Sequence, residues 1–322
     1  MKPTLDIENL RIAYALGGGR IAAVRDVSLA VHPHECLGLV GESGSGKTQV
    51  FLAAMGLLPN NAQTGGSVRF DGREILGLAP RELNRVRGSK LTMIFQDPMT
   101  ALTPHLKIGV QMGEVLVSHR GASWPNAQRD ALKMLERVRV SDPQRRLRQY
   151  PHELSGGMRQ RVMIGMSLLG EPDLLIADEP TTALDVTVQA QIMDLLRSLR
   201  AELGMAIALI SHDLGLVAGL ADRIVVMYAG RIVENAPADE LLRRARHPYT
   251  DLLLKCVPNF RAARLERMPC LPGQPPSPTV PESGCAFAPR CPRATPHCEA
   301  QRPPLRGAQQ GAQVACHYPL FP

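Results

Sequence analysis

The sequence predicts an α/β protein built around a parallel β-sheet, and two observations lead to this class. In the second half of the chain, short apolar runs alternate with helical patterns; these segments are 157–169, 174–177, 186–203, 206–211, 214–221 and 223–227. Strands that alternate with helices form parallel sheets with right-handed crossovers. The other observation is a glycine-rich stretch, GESGSGKT at 41–48, which follows a short apolar strand and precedes a helical pattern.

The N-terminal part of the chain is predicted to contain mostly strands. Residues 5–12 and 21–31 alternate apolar and polar side chains on either side of three glycines at 17–19. This pattern is typical of antiparallel strands joined by a loop. The other predicted elements of this part are a strand at 36–40, a helix at 48–58 that stops at Pro59, and strands at 67–70 and 91–95.

Composition divides the rest of the chain. Residues 99–153 are helical in pattern and rich in arginine, whereas 258–322 are rich in Pro, Arg and Cys with weak periodicity. The proline-rich residues 270–282 predict a stiff, extended linker. We therefore expect an α/β domain over 1–257 and a C-terminal extension over 258–322.

The net charge of +7 suggests nucleic acid, but its distribution does not favour that partner. Arginines are spread through several helices and the tail, without the interleaved aromatic residues that stack on bases, so we expect no nucleic-acid partner. No apolar run approaches the ~20 residues of a membrane span, and the N-terminus has no apolar signal core. We expect a cytosolic protein that is able to dock on a membrane protein.

The glycine-rich stretch fits the pattern G-x-x-x-x-G-K-[ST] at every constrained position; its residues are Gly41, Glu42, Ser43, Gly44, Ser45, Gly46, Lys47 and Thr48. Glycines allow backbone N–H groups to face phosphates, and the helix N-terminus adds a partial positive charge. Lys47 is expected to reach the β- and γ-phosphates, and the Thr48 hydroxyl to ligate Mg²⁺. The stretch therefore predicts a site for a nucleoside triphosphate.

Polar residues at the ends of other predicted strands complete this candidate site. Asp178 and Glu179 follow the apolar run at 174–177, where one carboxylate can hold Mg²⁺ through water and Glu179 can act as general base. His212 closes the next strand, at the sheet edge where ligands bind in such folds, and is expected to donate to the γ-phosphate. Gln96 ends an earlier strand and could be a neutral ligand to Mg²⁺ or to water.

A second serine- and glycine-rich helix start lies at 154–161, LSGGMRQR. Ser155 is placed as an N-cap, and Gly156 and Gly157 leave the first turn bare, so the segment presents N–H donors to an anion. The first loop already encloses the phosphates from one side. We therefore expect a dimer in which this segment covers the nucleotide of the partner subunit.

These motifs in this order, together with ALD at 183–185, resemble the nucleotide-binding subunits of ABC transporters. The resemblance spans about 1–260. It implies a P-loop NTPase (RecA-like) core with a parallel sheet, an N-terminal antiparallel β-subdomain and an inserted helical subdomain at about 97–153. It also implies that ATP is the nucleotide and that the helical subdomain receives coupling helices from two transmembrane permease subunits.

The resemblance implies further residue roles. Ser155, Gly156 and Gly157 would bind the γ-phosphate across the dimer interface, and Asp185 would communicate between the two sites. Tyr14 matches the aromatic residue that stacks on adenine. The stretch FQDPMTALTP at 95–104 would report γ-phosphate occupancy to the permease interface.

The C-terminal extension carries four cysteines within a short stretch: Cys285, Cys291, Cys298 and Cys316. In a reducing cytosol such a group suggests a metal ion or an iron–sulfur cluster, and His297 or His317 could replace one cysteine on zinc. The extension resembles that of the oligopeptide/dipeptide permease ATPases. That resemblance implies a [4Fe-4S] cluster on the four cysteines, with Zn²⁺ and an unliganded tail as alternatives. Cys36 and Cys256 are predicted to be packing residues, and Cys270 is assigned no role.

The function that these resemblances imply is hydrolysis of ATP to energise an ABC importer of di- or oligopeptides, at the cytoplasmic face of the inner membrane. Its partners would be a second ATPase subunit (a paralogue or an identical copy), two permease subunits and an extracytoplasmic solute-binding protein. Importers of nickel, opines or glutathione are alternatives. A soluble ABC-type ATPase acting on ribosomes or DNA is another, although the chain has one ATPase unit and no sustained heptads. A nucleoside kinase would leave LSGGMRQR unexplained.

Overall fold

The computed structural model describes residues 2–16, 19–97, 101–182, 184–257, 271, 273–277, 279 and 283–321. The chain forms two compact units. The first unit consists mainly of residues 77–208, with 1–4 and 32–34; the second consists of 5–31, 35–76 and 209–322. Cys270 lies outside the described residues, as do 98–100 of the stretch predicted to report nucleotide occupancy.

The strands of the described residues are β1 (Leu5–Leu16), β2 (Gly19–Val31), β3 (Cys36–Val40), β4 (Ala62–Phe70), β5 (Arg73–Glu74), β6 (Leu91–Ile94), β7 (Leu174–Asp178), β8 (Ala206–Ser211), β9 (Arg223–Tyr228), β10 (Arg231–Pro237), β11 (Arg306–Gly307) and β12 (Gln313–Val314). The α-helices are α1 (Lys47–Ala54), α2 (Pro80–Leu83), α3 (Ile108–Arg120), α4 (Trp124–Arg137), α5 (Pro143–Arg146), α6 (Gly156–Leu168), α7 (Val186–Leu203), α8 (Leu214–Ala218), α9 (Ala238–Arg243), α10 (Pro248–Lys255) and α11 (Pro296–Ala300). Within the described part of the chain, no helix combines the length and the apolar character needed to cross a bilayer.

The second unit begins with an antiparallel sheet in the order β2-β1-β4-β5. Leu5 pairs with Val31 of β2 and with Phe70 of β4. This confirms the predicted antiparallel N-terminal subdomain, but β1 and β2 are longer than predicted. The pairing continues as far as Leu16 and Gly19, so the strands extend to the three-glycine segment at 17–19.

The same unit also contains part of the parallel sheet. β3 pairs in parallel with β9, and all five residues of β3 are buried. Near-continuous apolar strands of this kind are typical of parallel sheets covered on both faces. Cys36, the first residue of β3, is buried as predicted for a packing residue.

The sequence does not predict four strands of this unit. One is β5, which pairs antiparallel with β4. β10 pairs antiparallel with β9, and β12 and β11 of the extension continue the sheet from it. Glu234 interrupts the apolar pattern of β10, yet it is fully buried, where its carboxylate accepts from the backbone N–H groups of Arg246 and His247. β11 and β12 are two residues long, too short to show periodicity.

The first unit contains the pair of parallel strands β6 and β7 and most of the long helices. α4 is amphipathic: its buried residues are Ala127, Ala131, Met134 and Leu135, at the spacing of one helix face. α7 likewise buries one face, through Ile192, Leu196 and Leu199 among others. The helical pattern predicted over 99–153 is confirmed for the described residues by α3, α4 and α5.

Two predicted helices of the second unit end earlier than expected. α1 stops at Ala54 because the chain turns there, and the Leu57 N–H bonds back to the Leu52 carbonyl at 2.9 Å. α8 stops at Ala218, before Gly219. Cys256, predicted to lie on a helix, is the C-cap of α10.

Candidate functional site

The phosphate loop of the second unit connects β3 to α1, as the sequence predicts. Gly41 and Gly46 have φ angles of 154° and 94°. A Cβ at Gly41 would lie 2.2 Å from the Met227 carbonyl oxygen, and one at Gly46 would lie 2.4 Å from that of Ala23. Both positions therefore require glycine, for backbone conformation and for space.

Lys47 is held inside this loop. Its side chain is 5% exposed, and Nζ donates to the carbonyl oxygens of Gly41 at 2.8 Å and Glu42 at 2.9 Å. Ser45 is also buried, with Oγ 3.5 Å from the same ammonium. Thr48 is half-buried in the first turn of α1. A cation surrounded by neutral oxygens in a loop at a helix N-terminus is chemically suited to an anionic ligand.

Two further predicted residues belong to the second unit. Tyr14 lies in β1, and its hydroxyl donates to the side-chain oxygen of Gln49 on α1. Burial raises the pKa of Tyr14. His212 follows β8 directly and is exposed. Tyr14 is thus hydrogen-bonded to α1, the helix that follows the phosphate loop.

In the first unit, the structure brings Gln96 and Glu179 together. The Gln96 amide nitrogen donates to a Glu179 carboxylate oxygen at 2.9 Å, and the Thr182 hydroxyl donates to the same oxygen at 2.8 Å. Asp178, the last residue of β7, is buried. Glu179 has a φ of 45°, so the chain turns sharply between the two carboxylates. Thr182 was missed, since a threonine in a turn carries no distinct signal.

The predicted cap of the second glycine-rich helix is confirmed. Ser155 precedes α6, and its Oγ accepts from the Met158 N–H at 3.4 Å. Ser155 and Gly156 are exposed, while a Cβ on Gly157 would lie 3.0 Å from the Val188 side chain. The bare first turn of α6 therefore remains open to solvent at its start.

Asp185 caps the neighbouring helix of the same unit. Its carboxylate accepts from the Val188 N–H at 2.9 Å, and the side chain is exposed. Val186, the first residue of α7, is 79% exposed. A Cβ at Gly156 would lie 3.7 Å from Leu184, so the starts of α6 and α7 are close together. This surface combines exposed helix N-termini with an exposed apolar side chain.

The four cysteines of the extension, together with His317, line one small cavity of about 20 Å³. Burial raises the pKa of Cys285 and Cys291, and that of Cys316 to about 11. Cysteine sulfurs around one cavity are, once deprotonated, the donor set of zinc and iron–sulfur sites. However, within the described ranges no group of three or more His, Cys, Asp or Glu residues is arranged to hold a metal ion. The donor chemistry therefore fits a metal centre, although the described residues form no preformed ligand geometry.

Two residues outside the predicted site contact the phosphate loop through Glu42. The Tyr249 hydroxyl accepts from the Glu42 N–H at 2.9 Å, and the Arg290 guanidinium bonds to the Glu42 carboxylate. Both are far from Glu42 along the chain. No local pattern in the sequence could have identified them.

Comparison with known proteins supplies the family. Residues 24–182 match the family described as ABC transporter, and 233–298 match the one described as oligopeptide/dipeptide transporter, C-terminal region. The oligopeptide transport ATP-binding protein OppD of Salmonella typhimurium is 49% identical over 316 residues, covering 98% of this chain and 94% of the relative. OppD of Haemophilus influenzae is 48% identical over 299 residues, covering 93% and 92%. A dimeric ATP-binding cassette bound to ADP and Pi matches with a TM-score of 0.66 and 28% identity, over 73% of this chain and 98% of that one.

Proposed function

The chain belongs to the ATP-binding proteins of ABC transporters, and we propose from this premise that it energises an importer of di- or oligopeptides. As a member of the family it binds ATP with Mg²⁺ and hydrolyses it. The peptide proposal rests on one observation. The likeness to oligopeptide transport proteins extends over nearly the whole chain, including the C-terminal region at 233–298. The alternatives of nickel, opine or glutathione import, and of action on ribosomes or DNA, have no comparable support.

We assign the chemical roles as follows. The phosphate loop, from Gly41 to Thr48, binds the triphosphate, and Lys47 contacts the β- and γ-phosphates. Thr48, Asp178 and Gln96 would hold Mg²⁺, directly or through water. Glu179 is the general base that takes a proton from the attacking water. The bonds from Gln96 and Thr182 support this role because they fix the carboxylate in one orientation.

His212 donates to the γ-phosphate and Tyr14 stacks on adenine. The exposure of His212 and the link of Tyr14 to α1 are compatible with these roles.

The active form is a dimer of ATPase units, in which Ser155, Gly156 and Gly157 of one subunit contact the γ-phosphate bound by the other. Asp185 communicates between the two sites. The exposed starts of α6 and α7, with Val186 beside Asp185, support this proposal, as does the dimeric form of the related cassette. The second ATPase unit is a paralogue or another copy of this chain.

The chain acts as a peripheral subunit at the cytoplasmic face of the membrane. It binds two permease subunits, which receive solute from an extracytoplasmic solute-binding protein. Support comes from the family and from the helical segment at about 97–153. Two exposed apolar side chains there, Val117 and Trp124, are available for a partner. The division into an α/β ATPase domain at 1–257 and a C-terminal extension at 258–322 is also part of this proposal.

We propose further that Cys285, Cys291, Cys298 and Cys316 hold a [4Fe-4S] cluster, or failing that Zn²⁺. The support is that all four line one cavity. Iron and zinc should be measured on protein purified without oxygen, and on a variant with the four cysteines changed to serine. We expect about four iron atoms, or one zinc, per chain in the wild type and none in the variant. Cys256→Ser is the control. Absence of both metals from the wild type would refute the proposal.

The importer function is tested by uptake in cells. Deleting the gene should abolish accumulation of a radiolabelled tripeptide, and the wild-type gene should restore it. Glu179→Gln should not restore uptake, although it leaves the nucleotide site intact. Normal peptide uptake in the deletion strain, with a deficit in another solute such as nickel, would refute the peptide assignment.

A further inference from the structure

The C-terminal extension is bonded directly to the phosphate loop. Arg290 Nη1 lies 2.7 Å from Glu42 Oε2, and Nη2 lies 2.9 Å from Oε1. Two parallel bonds of this kind form the bidentate geometry in which a guanidinium binds a carboxylate most strongly. The Arg290 side chain is 4% exposed and that of Glu42 24% exposed. The pair is therefore largely shielded from solvent and from salt.

Aromatic residues fix Arg290 in this position. Its Nη1 donates to the Tyr228 hydroxyl at 3.1 Å, and the guanidinium lies over the rings of Tyr228 and Phe287, at 5.7 and 6.0 Å from their centroids. Phe287 is buried and packs against Tyr228 and Tyr249, each with centroids 5.3 Å away. The pKa of Arg290 is held above its ordinary value, chiefly by the bonds to Glu42. The guanidinium is thus a permanent charge on a rigid support.

Glu42 is held from the other side through its backbone. The Tyr249 hydroxyl accepts from the Glu42 N–H at 2.9 Å. The Tyr249 ring also packs against the rings of Tyr228 and Phe287. The side chain of Glu42 is therefore fixed by Arg290 of the extension, and its backbone by Tyr249, which packs against Phe287 of the extension.

The contact with the loop is broader than one ion pair. Residues 42–45 of the loop and 283–286 of the extension line a common cavity of about 320 Å³. Arg290 itself ends a short 3-10 turn, Ala288–Arg290, whose start is fixed by a bond from the Ala288 N–H to the Cys285 carbonyl oxygen. The extension therefore lies along one side of the loop.

The charge of Glu42 gives this contact a consequence for the nucleotide. A carboxylate in a loop that binds a triphosphate repels the ligand, and because the Glu42 side chain is only 24% exposed, water screens this repulsion incompletely. The bidentate Arg290 neutralises that carboxylate and fixes its direction. Without Arg290 the loop would keep an unpaired negative charge beside its anion site.

We propose that Arg290 is a positioning residue of the phosphate loop, through which the C-terminal extension sets the affinity for ATP. This inference rests on the proposed ATPase function. It assigns to the extension a part in nucleotide binding.

The test is a double-mutant cycle on the full chain, with ATP binding to the isolated subunit and the ATPase KM and kcat as readouts. Arg290→Gln should weaken ATP binding and raise KM by about tenfold, as expected for loss of a charge-assisted contact, with kcat changed less than twofold. Arg290→Lys should recover only part of this, because an ammonium cannot form the two parallel bonds. Arg302→Gln, which removes the same charge from an exposed position of the extension, should leave KM unchanged.

The decisive variants change Glu42. Glu42→Gln alone should bind ATP more tightly than the wild type, because it removes the negative charge from the loop while Arg290 stays. Arg290→Gln with Glu42→Gln should return KM to within about threefold of the wild-type value. If Arg290 only anchored the extension, Glu42→Gln would weaken ATP binding as Arg290→Gln does, and the double variant would show no rescue. That result, or wild-type affinity in Arg290→Gln, would overturn the proposal. A wild-type chain that bound no ATP would instead refute the proposed function.

Discussion

At the scale of single residues, Glu179 shows what a motif can and cannot reveal. Its place after an apolar strand predicted an acid at the sheet edge, and Gln96, at the end of another strand, was predicted to be a ligand to Mg²⁺ or to water. Both predictions used local patterns, and the structure joins the two side chains. The bond from Thr182 was not predictable, since it depends on a turn with φ of 45° at Glu179.

A substitution at this residue tests its chemical role. Glu179→Gln keeps the size of the side chain and an oxygen that can accept from Thr182, but it cannot take a proton from water. We expect ATP binding within about threefold of the wild type and a kcat lowered by about 100-fold or more. Single-turnover hydrolysis of radiolabelled ATP measures this. Thr182→Val, which removes one bond but keeps the base, should lower kcat far less. Wild-type turnover in Glu179→Gln would exclude the base role.

Arg290 marks the limit of prediction for single residues. It lies 248 residues from Glu42 in the sequence, and its own segment, CAFAPRC, shows no pattern that points to a phosphate loop. An ion pair of this kind depends on the packing of Phe287, Tyr228 and Tyr249. Such packing exists only after the chain has folded.

At the scale of elements, prediction succeeded where one physical rule dominated. β3, β7 and β8 are fully buried, and each was visible as an uninterrupted apolar run. β10 was not predicted because the buried Glu234 breaks its apolar pattern. The carboxylate is satisfied there by the backbone N–H groups of Arg246 and His247. Burial raises the pKa of this carboxyl group.

The exposed N-terminus of α6 gives a prediction at this scale. Ser155→Arg places a long cation over the bare first turn and removes the cap, so the segment can no longer receive a phosphate from a partner. We expect ATP binding to the isolated subunit to stay within about twofold of the wild type, because the Ser155 segment is proposed to contact the nucleotide of the partner subunit. Steady-state hydrolysis should fall by about 100-fold, as when one oxyanion contact is lost.

Ser155→Ala is the matched control, since it removes the cap without adding bulk. It should cost about 1 kcal/mol of stability and retain part of the activity. Thermal unfolding reports the first effect and phosphate release the second. If Ser155→Arg weakened ATP binding to the monomer as much as it weakened hydrolysis, the two glycine-rich segments would serve one nucleotide in one subunit.

At the scale of the whole molecule, the class of fold was predictable, but the strand order was not. The alternation of strands and helices fixed the parallel class through general chirality rules. Pairing of β12 with β10 brings residues 313–314 to a strand at 231–237, which no local pattern encodes. The four cysteines were visible as a group in the sequence and line one cavity of the fold, but within the described residues they form no preformed metal-ligand group.

The central claim at this scale is that one chain carries two halves of different ATP sites. The phosphate loop and the Ser155 segment would act on separate nucleotides, so hydrolysis requires a second ATPase unit. The most direct measurement is specific ATPase activity against protein concentration, with the oligomeric state followed by light scattering in the same samples. The claim predicts that activity per chain falls toward zero as the protein is diluted to monomers, and that added partner ATPase restores it. Constant, full activity in samples that stay monomeric throughout turnover would contradict the account.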